Sequence, residues 1–395
     1  MVFTAAAASK LGTQVSYIAI PLLAVVALHA TPYQVGLLGT LATLPFLLIS
    51  LPAGAWADRL RKRRLQIAAD LSRAALFGSV PIAWCCHLLS LWQLYLVVLL
   101  SGAATVFFDI AAQSFLPFLV GRPSLMAANS ALASTDAINQ VAGRSVGGYL
   151  VQLLTAPVAV AVDAASYLWS AAWLIRVRRD EPKSERKPDV HLLRESREGL
   201  VFVLGHPLLR PIAVSGALTN FFVQISVVML PVLFVRDLKL PPSLLGAYLA
   251  CGGAGVFLGT TNARRVGNWL GYGRAMWIVG LVSAPLKFVI PFLDRGPMLW
   301  LAALGWLLAT FQVGINNVLQ VSFRQRATPD RLLGRMNAAM RFLLTGALAL
   351  GSALAGLLGQ YVGVRAVLWV GAAGLATAWL PSFLSPLRTM RQLPR

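Results

Sequence analysis

Ionisable and amide side chains recur at four-residue spacing inside stretches of sequence that are otherwise apolar. Two series carry this pattern: Asp136, Gln140 and Arg144, and Gln312, Asn316, Gln320 and Arg324. Residues four apart lie on the same face of an α-helix. Charged groups on such a face can bind a proton or a charged ligand, and amides can hydrogen-bond to it, which is the chemistry of a polar cavity. The same amides can instead join neighbouring helices, and both interpretations remain open.

Ionisable residues in apolar segments are the candidates for ion coupling, because each charge costs roughly 3 kcal/mol there unless it is paired or hydrated. The candidates are Asp109, Asp136, Arg144 and Asp163, and Lys287 is a fifth ionisable residue of this kind. Depth along the helices predicts that Arg144 pairs with Asp163. We expect Asp109 and Asp163 to carry protons, since a carboxylate that is alternately paired and exposed takes up and releases one.

Amide side chains in the same segments are candidates for lining a central cavity. They are Gln14, Gln113, Gln140, Asn220, Gln224, Gln312, Asn316 and Gln320. Neither a nucleophile with its base, nor metal-ligand spacing, nor a phosphate-binding loop is present in the sequence. The sequence therefore predicts no catalytic residues, no metal site, no cofactor and no enzyme.

The composition shows that these residues lie in helices surrounded by lipid. Of 395 residues, 57% are hydrophobic and 12% are charged, whereas about a quarter are charged in soluble proteins. A spanning helix needs roughly 20 apolar residues. Runs of suitable length predict helices at 3–28, 35–57, 66–87, 92–118, 127–152, 156–176, 207–235, 243–263, 272–292, 297–321, 335–358 and 363–385. The chain is thus predicted to be an all-α integral membrane protein with 12 transmembrane helices.

The basic residues, which give a net charge of +20, concentrate in alternate connectors between these helices. By the positive-inside rule this asymmetry places both termini in the cytoplasm. We expect a multi-pass protein of the cell membrane whose partners are the lipid bilayer and a small-molecule substrate. We do not expect it to bind nucleic acid, and we expect it to be a monomer.

A polar segment in the middle divides the predicted helices into two groups of six. The predicted division is an N-terminal six-helix bundle at 1–177, a cytoplasmic linker loop at 178–206, and a C-terminal bundle with a short tail at 207–395. An internal repeat supports duplication, because 125–152 aligns with 333–360. The alignment pairs Asn129 with Asn337, Gly143 with Gly351, Gly148 with Gly356 and Gln152 with Gln360. We therefore expect two pseudo-symmetric six-helix bundles.

The segment GAWADRLRKRR at 54–64 resembles motif A of the major facilitator superfamily, with Arg61 where that motif usually has Gly. Together with LGTQVSYIAIPLLA, FFDIAAQSFLPFLV and TPDRLLGRMNAAMRF, it makes the chain similar to the efflux branch that contains the enterobactin exporter and the macrolide-efflux proteins. The resemblance implies the major facilitator fold and a gating role for Gly54, Asp58, Arg59, Arg61, Lys62 and Arg63.

The chemistry of motif A fits a cytoplasmic latch. Asp58 can meet the positive N-terminal end of a helix, and Arg59 and Arg61 can pair with Asp109. For Arg63 and Arg64, a latch and a simple role in setting topology remain equally open.

The predicted function is secondary active transport by alternating access. We expect export of a small amphipathic molecule of the drug, macrolide or siderophore-like kind, with proton antiport and the proton gradient as the energy source. One alternative is an importer of a small metabolite with the same fold. Another, from a different class, is a channel or a membrane scaffold that transports nothing.

Overall fold

The computed structural model describes residues 2–49, 60–120, 125–176 and 192–392. Within these ranges, the side chains of 2–8, 113–134, 136, 137, 192–196 and 330 fall outside the description. Helices dominate the described chain, and no strand occurs in it. The first six helices are α1 Val2–Val26, α2 Pro32–Leu48, α3 Lys62–Cys85, α4 Leu91–Val120, α5 Leu125–Leu154 and α6 Ala156–Arg176.

Eight further α-helices follow. They are α7 Leu192–Gly205, α8 Leu209–Val228, α9 Pro242–Leu270, α10 Tyr272–Lys287, α11 Pro297–Arg326, α12 Leu333–Tyr361, α13 Val364–Thr377 and α14 Leu380–Phe383. A π-helical segment, Val232–Asp237, follows α8. Pro231 interrupts the α-helix there, because proline lacks the backbone N–H and its ring clashes with the carbonyl four residues earlier.

Nine helical segments of the described chain are long enough and apolar enough to span a membrane. They are Ser9–Val26, Leu91–Ala112, Ala156–Arg176, Leu209–Asp237, Pro242–Leu270, Tyr272–Phe292, Pro297–Arg326, Leu333–Tyr361 and Val364–Phe383. Together with α2, α3 and α5 they account for the twelve predicted helices. α3 is the least apolar of these because it carries five charged residues, Lys62, Arg63, Arg64, Asp70 and Arg73.

The chain folds into two compact units. Unit 1 comprises Met1–Ala30, Leu41–Val190 and Phe234–Ala250, and unit 2 comprises Thr31–Thr40, His191–Leu233 and Cys251–Arg395. Segment 31–40, from the N-terminal half of the sequence, thus belongs to unit 2, and segment 234–250, from the C-terminal half, belongs to unit 1. The division predicted from the sequence remains a prediction.

The same packing arrangement occurs in both units. In unit 1, α1 packs against α5 and α6, and α3 packs against α4 and α6. In unit 2, α8 packs against α12 and α13, and α10 packs against α11 and α13. A Cβ on Gly143 of α5 would lie 2.7 Å from Gln14 Cβ, and one on Gly351 of α12 would lie 3.3 Å from Gln224 Cβ. The two glycines that the sequence repeat aligns therefore face a glutamine in corresponding helix contacts.

The segment predicted as a linker loop, 178–206, contains the helix α7. This helix packs against α12 within unit 2, where Arg335 Nη1 donates to Glu198 Oε2 at 2.8 Å. Val203 is fully buried in an apolar cluster that includes Met336 and Met340. The apolar face of α7 thus fixes this part of the segment to unit 2.

Candidate functional site

Three charged side chains of unit 1 are enclosed among its helices: Asp70 and Arg73 on α3, and Asp163 on α6. Their exposed fractions are 0%, 3% and 0%. Arg73 Nη2 forms an ion pair with Asp70 Oδ1, one turn earlier on the same helix. Thr105 Oγ1 of α4 lies 3.5 Å from Arg73 Nη1. We call Asp70, Arg73 and Asp163 the charged cluster.

Aromatic rings hold the guanidinium of Arg73 in place. Its Cζ lies 4.4 Å from the ring centroid of Phe108 on α4 and 4.4 Å from that of Tyr167 on α6, within the range of a cation–π interaction. The hydroxyl of Tyr167 lies 3.0 Å from Thr13 Oγ1. Thr13 Oγ1 also lies 2.9 Å from Ser9 O, to which it can donate. The rings leave the guanidinium little freedom to move.

Asp163 is the carboxylate of the cluster that lies against α1. Its Oδ1 accepts a hydrogen bond from Ser166 Oγ at 3.2 Å, and a Cβ on Gly12 would lie 2.5 Å from the same oxygen. Glycine at position 12 therefore makes room for the carboxylate. Asp163 Oδ2 is buried, as is the hydroxyl of Ser16 on α1, and neither atom makes a hydrogen bond of standard geometry to a described residue.

The charge balance of the cluster favours one bound proton. Two ionised carboxylates and one guanidinium would leave a net charge of −1 buried among membrane-spanning helices. Burying an uncompensated charge costs roughly several kcal/mol. Protonation of one carboxyl makes the cluster neutral and avoids this cost. Asp70 Oδ2 and Asp163 Oδ2 are both buried without a hydrogen-bond partner among the described residues, but Asp70 is also ion-paired to Arg73 through its Oδ1. Asp163 is therefore the better place for that proton.

The predicted pair between Arg144 and Asp163 does not form. Arg144 Nε donates to Gln14 Oε1 at 3.1 Å, and its Cζ lies 5.2 Å from the ring centroid of Tyr17. Gln14 and Tyr17 lie on the face of α1 opposite to Gly12, which Asp163 contacts. α1 therefore separates the two side chains, although the sequence places them at similar depth along their helices.

The motif A residues are described only in part. Gly54, Asp58 and Arg59 lie outside the described residues, so the predicted latch stays a prediction, as do the ion pairs to Asp109, whose side chain is half-buried on α4. Arg61 is exposed just before α3, and Lys62 is the first residue of that helix.

Arg63 contacts the carboxyl-terminal end of α6. Its Nε donates to Leu174 O at 2.7 Å and its Nη2 donates to Ile175 O. The last four carbonyls of a helix lack partners within that helix, so Arg63 supplies donors that α6 needs. This contact joins α3 to α6 inside unit 1.

In unit 2, a buried cation is bound by uncharged groups. Lys287 on α10 is 1% exposed. Its Nζ donates to Gln312 Oε1 of α11 and to Leu375 O of α13, the latter at 2.8 Å. Ser283 Oγ also donates to Gln312 Oε1 at 3.1 Å. Leu375 O is one of the terminal carbonyls of α13, so Lys287 joins three helices.

A polar cavity of about 130 Å³ lies in unit 2 between α8 and α11, with one residue from α12. Its lining residues are Gly216, Thr219 and Asn220 from α8, Val313, Asn316, Asn317, Gln320, Val321 and Arg324 from α11, and Leu344 from α12. Arg324 is the one charged residue in that lining. We call this space the α8–α11 pocket.

Three of the eight predicted cavity-lining amides line the α8–α11 pocket: Asn220, Asn316 and Gln320. The others have different surroundings in the structure. Gln14 accepts from Arg144, Gln224 Nε2 donates to Ser352 Oγ at 2.9 Å, and Gln312 accepts from Lys287. Gln140 is half-buried, and the side chains of Gln113 and Asp136 lie outside the description.

Asp70, Arg73 and Asn317 are not among the site residues predicted from the sequence. Asp70 and Arg73 stand three residues apart within the predicted span 66–87, which is the spacing of an ion pair on one helix. This spacing is the feature from which the ion pair can be predicted in the sequence. Asn317 follows Asn316 in the sequence and is not a member of the series of residues spaced by four on α11.

The sequence matches the family described as transmembrane secretion effectors over residues 1–394. The chain belongs to this family. Three curated relatives, each similar over most of its length, are transporters by name. The uncharacterized MFS-type transporter YfiS of Bacillus subtilis (strain 168) is 26% identical, covering 90% of this chain and 85% of YfiS.

The other two relatives are named for efflux. The multidrug efflux pump Tap of Mycolicibacterium fortuitum is 25% identical, covering 93% of this chain and 90% of Tap. The enterobactin exporter EntS of Salmonella choleraesuis (strain SC-B67) is 27% identical, covering 95% of this chain and 90% of EntS. The predicted resemblance to the efflux branch of the major facilitator superfamily is confirmed, and the protein is a multi-pass membrane transporter.

Solved structures confirm the predicted fold class. The nucleoside transporter NupG has a TM-score of 0.77 at 11% identity, covering 97% of this chain and 98% of NupG. A bacterial homologue of the iron transporter ferroportin in an inward-facing state has a TM-score of 0.75 at 17% identity, covering 97% of each chain. At these identities the likeness concerns the fold alone. The protein is an all-α membrane protein with the major facilitator fold.

Proposed function

We propose that this transporter exports a small amphipathic molecule by alternating access and exchanges it for protons. The names of the relatives Tap and EntS support export, since both describe outward movement of a small molecule. The observation that carries the coupling proposal is the charged cluster, which holds two buried carboxylates and one buried guanidinium, with Asp70 forming the ion pair to Arg73. Such a cluster binds a proton without a cofactor.

Asp163 is the proposed proton carrier. A bound proton neutralises the cluster, and its release leaves a negative charge that favours hydration or a new partner. A transporter that alternates between two states can therefore take up a proton in one state and release it in the other. Arg73 is the fixed cation of the site, because two rings and Asp70 position it.

Transport by inside-out vesicles tests the proposal. Vesicles from cells that produce the full chain are offered a panel of labelled amphipathic compounds, with and without an acidic interior. We expect at least one compound to accumulate when the interior is acidic, and a protonophore to abolish that accumulation. Accumulation that survives collapse of the gradient would rule out proton antiport. Accumulation only in right-side-out vesicles would favour the importer.

Substitution of the carboxylates tests the assignment of the carrier. Asp163→Asn keeps the shape of the side chain but cannot release a proton, so gradient-driven accumulation should fall at least about tenfold, which corresponds to about 1.4 kcal/mol. Asp294→Asn is the control, because Asp294 is exposed and lies 3.4 Å from Arg365 Nη2, outside the charged cluster. Full activity of Asp163→Asn would reject Asp163 as the carrier and make Asp109→Asn the next variant to measure.

A further inference from the structure

The α8–α11 pocket contains hydrogen-bonding groups that the protein itself does not satisfy. Asn316 is 4% exposed, and its Oδ1 has no hydrogen-bond partner among the described residues. Arg324 Nε is also buried without a partner there. Buried polar atoms of this kind are uncommon, because each lost hydrogen bond costs about 1–3 kcal/mol. Two of them on the lining of one cavity indicate a ligand that supplies the missing partners.

Arg324 gives the pocket its charge. No ion pair or hydrogen bond joins the Arg324 side chain to another described residue, and no carboxylate belongs to the lining. A guanidinium is a planar donor that binds a carboxylate or a similar oxyanion through two parallel hydrogen bonds. The counter-ion that Arg324 lacks in the described part of the protein is therefore the group that the ligand has to bring.

The amide side chains of the lining on α11 form a row that ends at Arg324. Asn316, Gln320 and Arg324 are spaced by four residues on α11 and extend over about 12 Å of helix. Asn220 of α8 faces the same space and donates through Nδ2 to Leu344 O at 3.1 Å. The other end of Asn220, its amide oxygen, remains an acceptor for a hydroxyl or an amide N–H.

The size of the pocket limits what enters it. Pockets for whole drug-sized ligands usually measure at least about 300 Å³, and this one measures about 130 Å³. It is therefore large enough for one polar end of an amphipathic molecule. Gly216 contributes to this space, since a Cβ at that position would lie 3.2 Å from Gln320 Oε1 and 2.8 Å from Leu344 Cδ2.

We propose that the α8–α11 pocket binds the anionic, hydroxyl- or amide-bearing end of the exported molecule. Arg324 pairs with the anionic oxygens, and the amides of Asn316, Asn317 and Gln320 bind the neighbouring polar groups. This inference rests on the proposed export function and specifies its substrates as carboxylates or comparable oxyanions. Cationic amphipathic drugs are excluded from the pocket by the charge of Arg324.

The test uses sets of labelled compounds that differ in one group. Each amphipathic scaffold is prepared as a carboxylate, as the primary amide of similar size and as the corresponding amine. Inside-out vesicles with an acidic interior then give KM and the maximal rate for each member. We expect the carboxylate to have a KM at least about tenfold lower than the amide, and the amine not to be transported.

Arg324→Gln should raise the KM of the carboxylate at least about tenfold and change that of the amide less than about twofold, whereas Arg324→Lys should restore part of the difference. Arg326→Gln is the matched control, because Arg326 ends the same helix, is exposed, and lies outside the pocket lining. Equal KM values for Arg324→Gln and the parent chain would overturn the proposal.

Gln320→Glu provides a second variant that does not remove a charge. The new carboxylate stands four residues before Arg324, an arrangement that favours pairing on a helix, so it should occupy Arg324 and raise the KM of the carboxylate while the protein remains folded. Unchanged selectivity in this variant would contradict the assigned role of Arg324. If no compound of any charge moves, the export proposal itself fails. If compounds move without regard to charge, export stands and the pocket proposal fails.

Discussion

Lys287 is a buried cation whose surroundings indicate a structural role. Its described acceptors are an amide oxygen and a backbone carbonyl, and neither takes up a proton in the physiological range. In the sequence, Lys287 is an ionisable residue in an apolar segment, which is a feature that coupling residues and structural residues share. The two can be told apart only by their partners, and a single sequence does not contain that information.

Replacing Gln312 alone should destabilise the protein more than replacing Gln312 and Lys287 together. Gln312→Leu leaves a buried ammonium with one acceptor, and breaking a buried charged contact costs about 3–5 kcal/mol. Adding Lys287→Met removes that charge, so the double variant should recover at least about 1 kcal/mol over Gln312→Leu alone. Thermal unfolding of the purified protein in detergent measures this. A double variant less stable than Gln312→Leu would show that Lys287 stabilises the fold through other contacts.

The charged cluster shows what the sequence reveals about a site and what it conceals. Asp163 was identified because a carboxylate in an apolar segment is conspicuous. Its partner was assigned wrongly to Arg144, since depth along a helix says nothing about which face of α1 lies between two side chains. Arg73 does not stand out in the sequence, because the same helix begins with three consecutive basic residues. Helical periodicity alone groups Asn316, Gln320 and Arg324 on one face of α11, and all three line the α8–α11 pocket; that the pocket binds a substrate stays a prediction.

Close helix contacts at glycine connect elements within each unit. In unit 2, a Cβ on Gly36 of α2 would lie 2.4 Å from Gly356 Cα on α12. In unit 1, a Cβ on Gly246 of α9 would lie 2.6 Å from Arg144 O and 3.0 Å from Gly148 Cα on α5. Gly148 and Gly356 are aligned by the sequence repeat, so the repeat correctly predicted two related positions. It did not identify their partners, which lie on helices that the repeat does not cover.

Alanine at these glycines should destabilise the protein although alanine favours helices. The new Cβ would clash with backbone atoms, which cannot move away as a side chain can, and such overpacking costs about 1–3 kcal/mol. The gain from the higher helix propensity of alanine is smaller, about 0.5–1 kcal/mol. Gly36→Ala and Gly246→Ala should therefore lower the melting temperature in detergent. Gly78→Ala is the control, since its Cβ would lie 4.0 Å from Ala164 Cβ in ordinary contact. Equal melting temperatures for all three variants would refute the close approach.

At the scale of the whole molecule, the two proposed binding events belong to different units. The charged cluster, which we propose as the proton site, is in unit 1, and the α8–α11 pocket, which we propose as the site for the anionic end of the substrate, is in unit 2. Antiport requires that each ligand favour a different state of the transporter. Because coupling free energies are reciprocal, the proton must lower the affinity for the substrate by the same factor by which the substrate lowers the affinity for the proton.

This reciprocity predicts how substrate affinity depends on pH. In the parent chain, the affinity for a fully ionised carboxylate substrate should rise at least about fivefold from mildly acidic to mildly alkaline buffer, which is the lower end of ordinary coupling. Asp163→Asn has the neutral form of the side chain at every pH, so its affinity should stay at the low, acidic value. Equilibrium binding of the labelled substrate to purified protein measures both. Arg324→Gln separates the two events, because it should weaken binding at every pH while leaving the ratio between the two buffers unchanged. If Asp163→Asn kept the pH dependence of the parent chain, the proton that drives export would have to bind outside the charged cluster, and Asp109 on α4 would be the carboxylate to test.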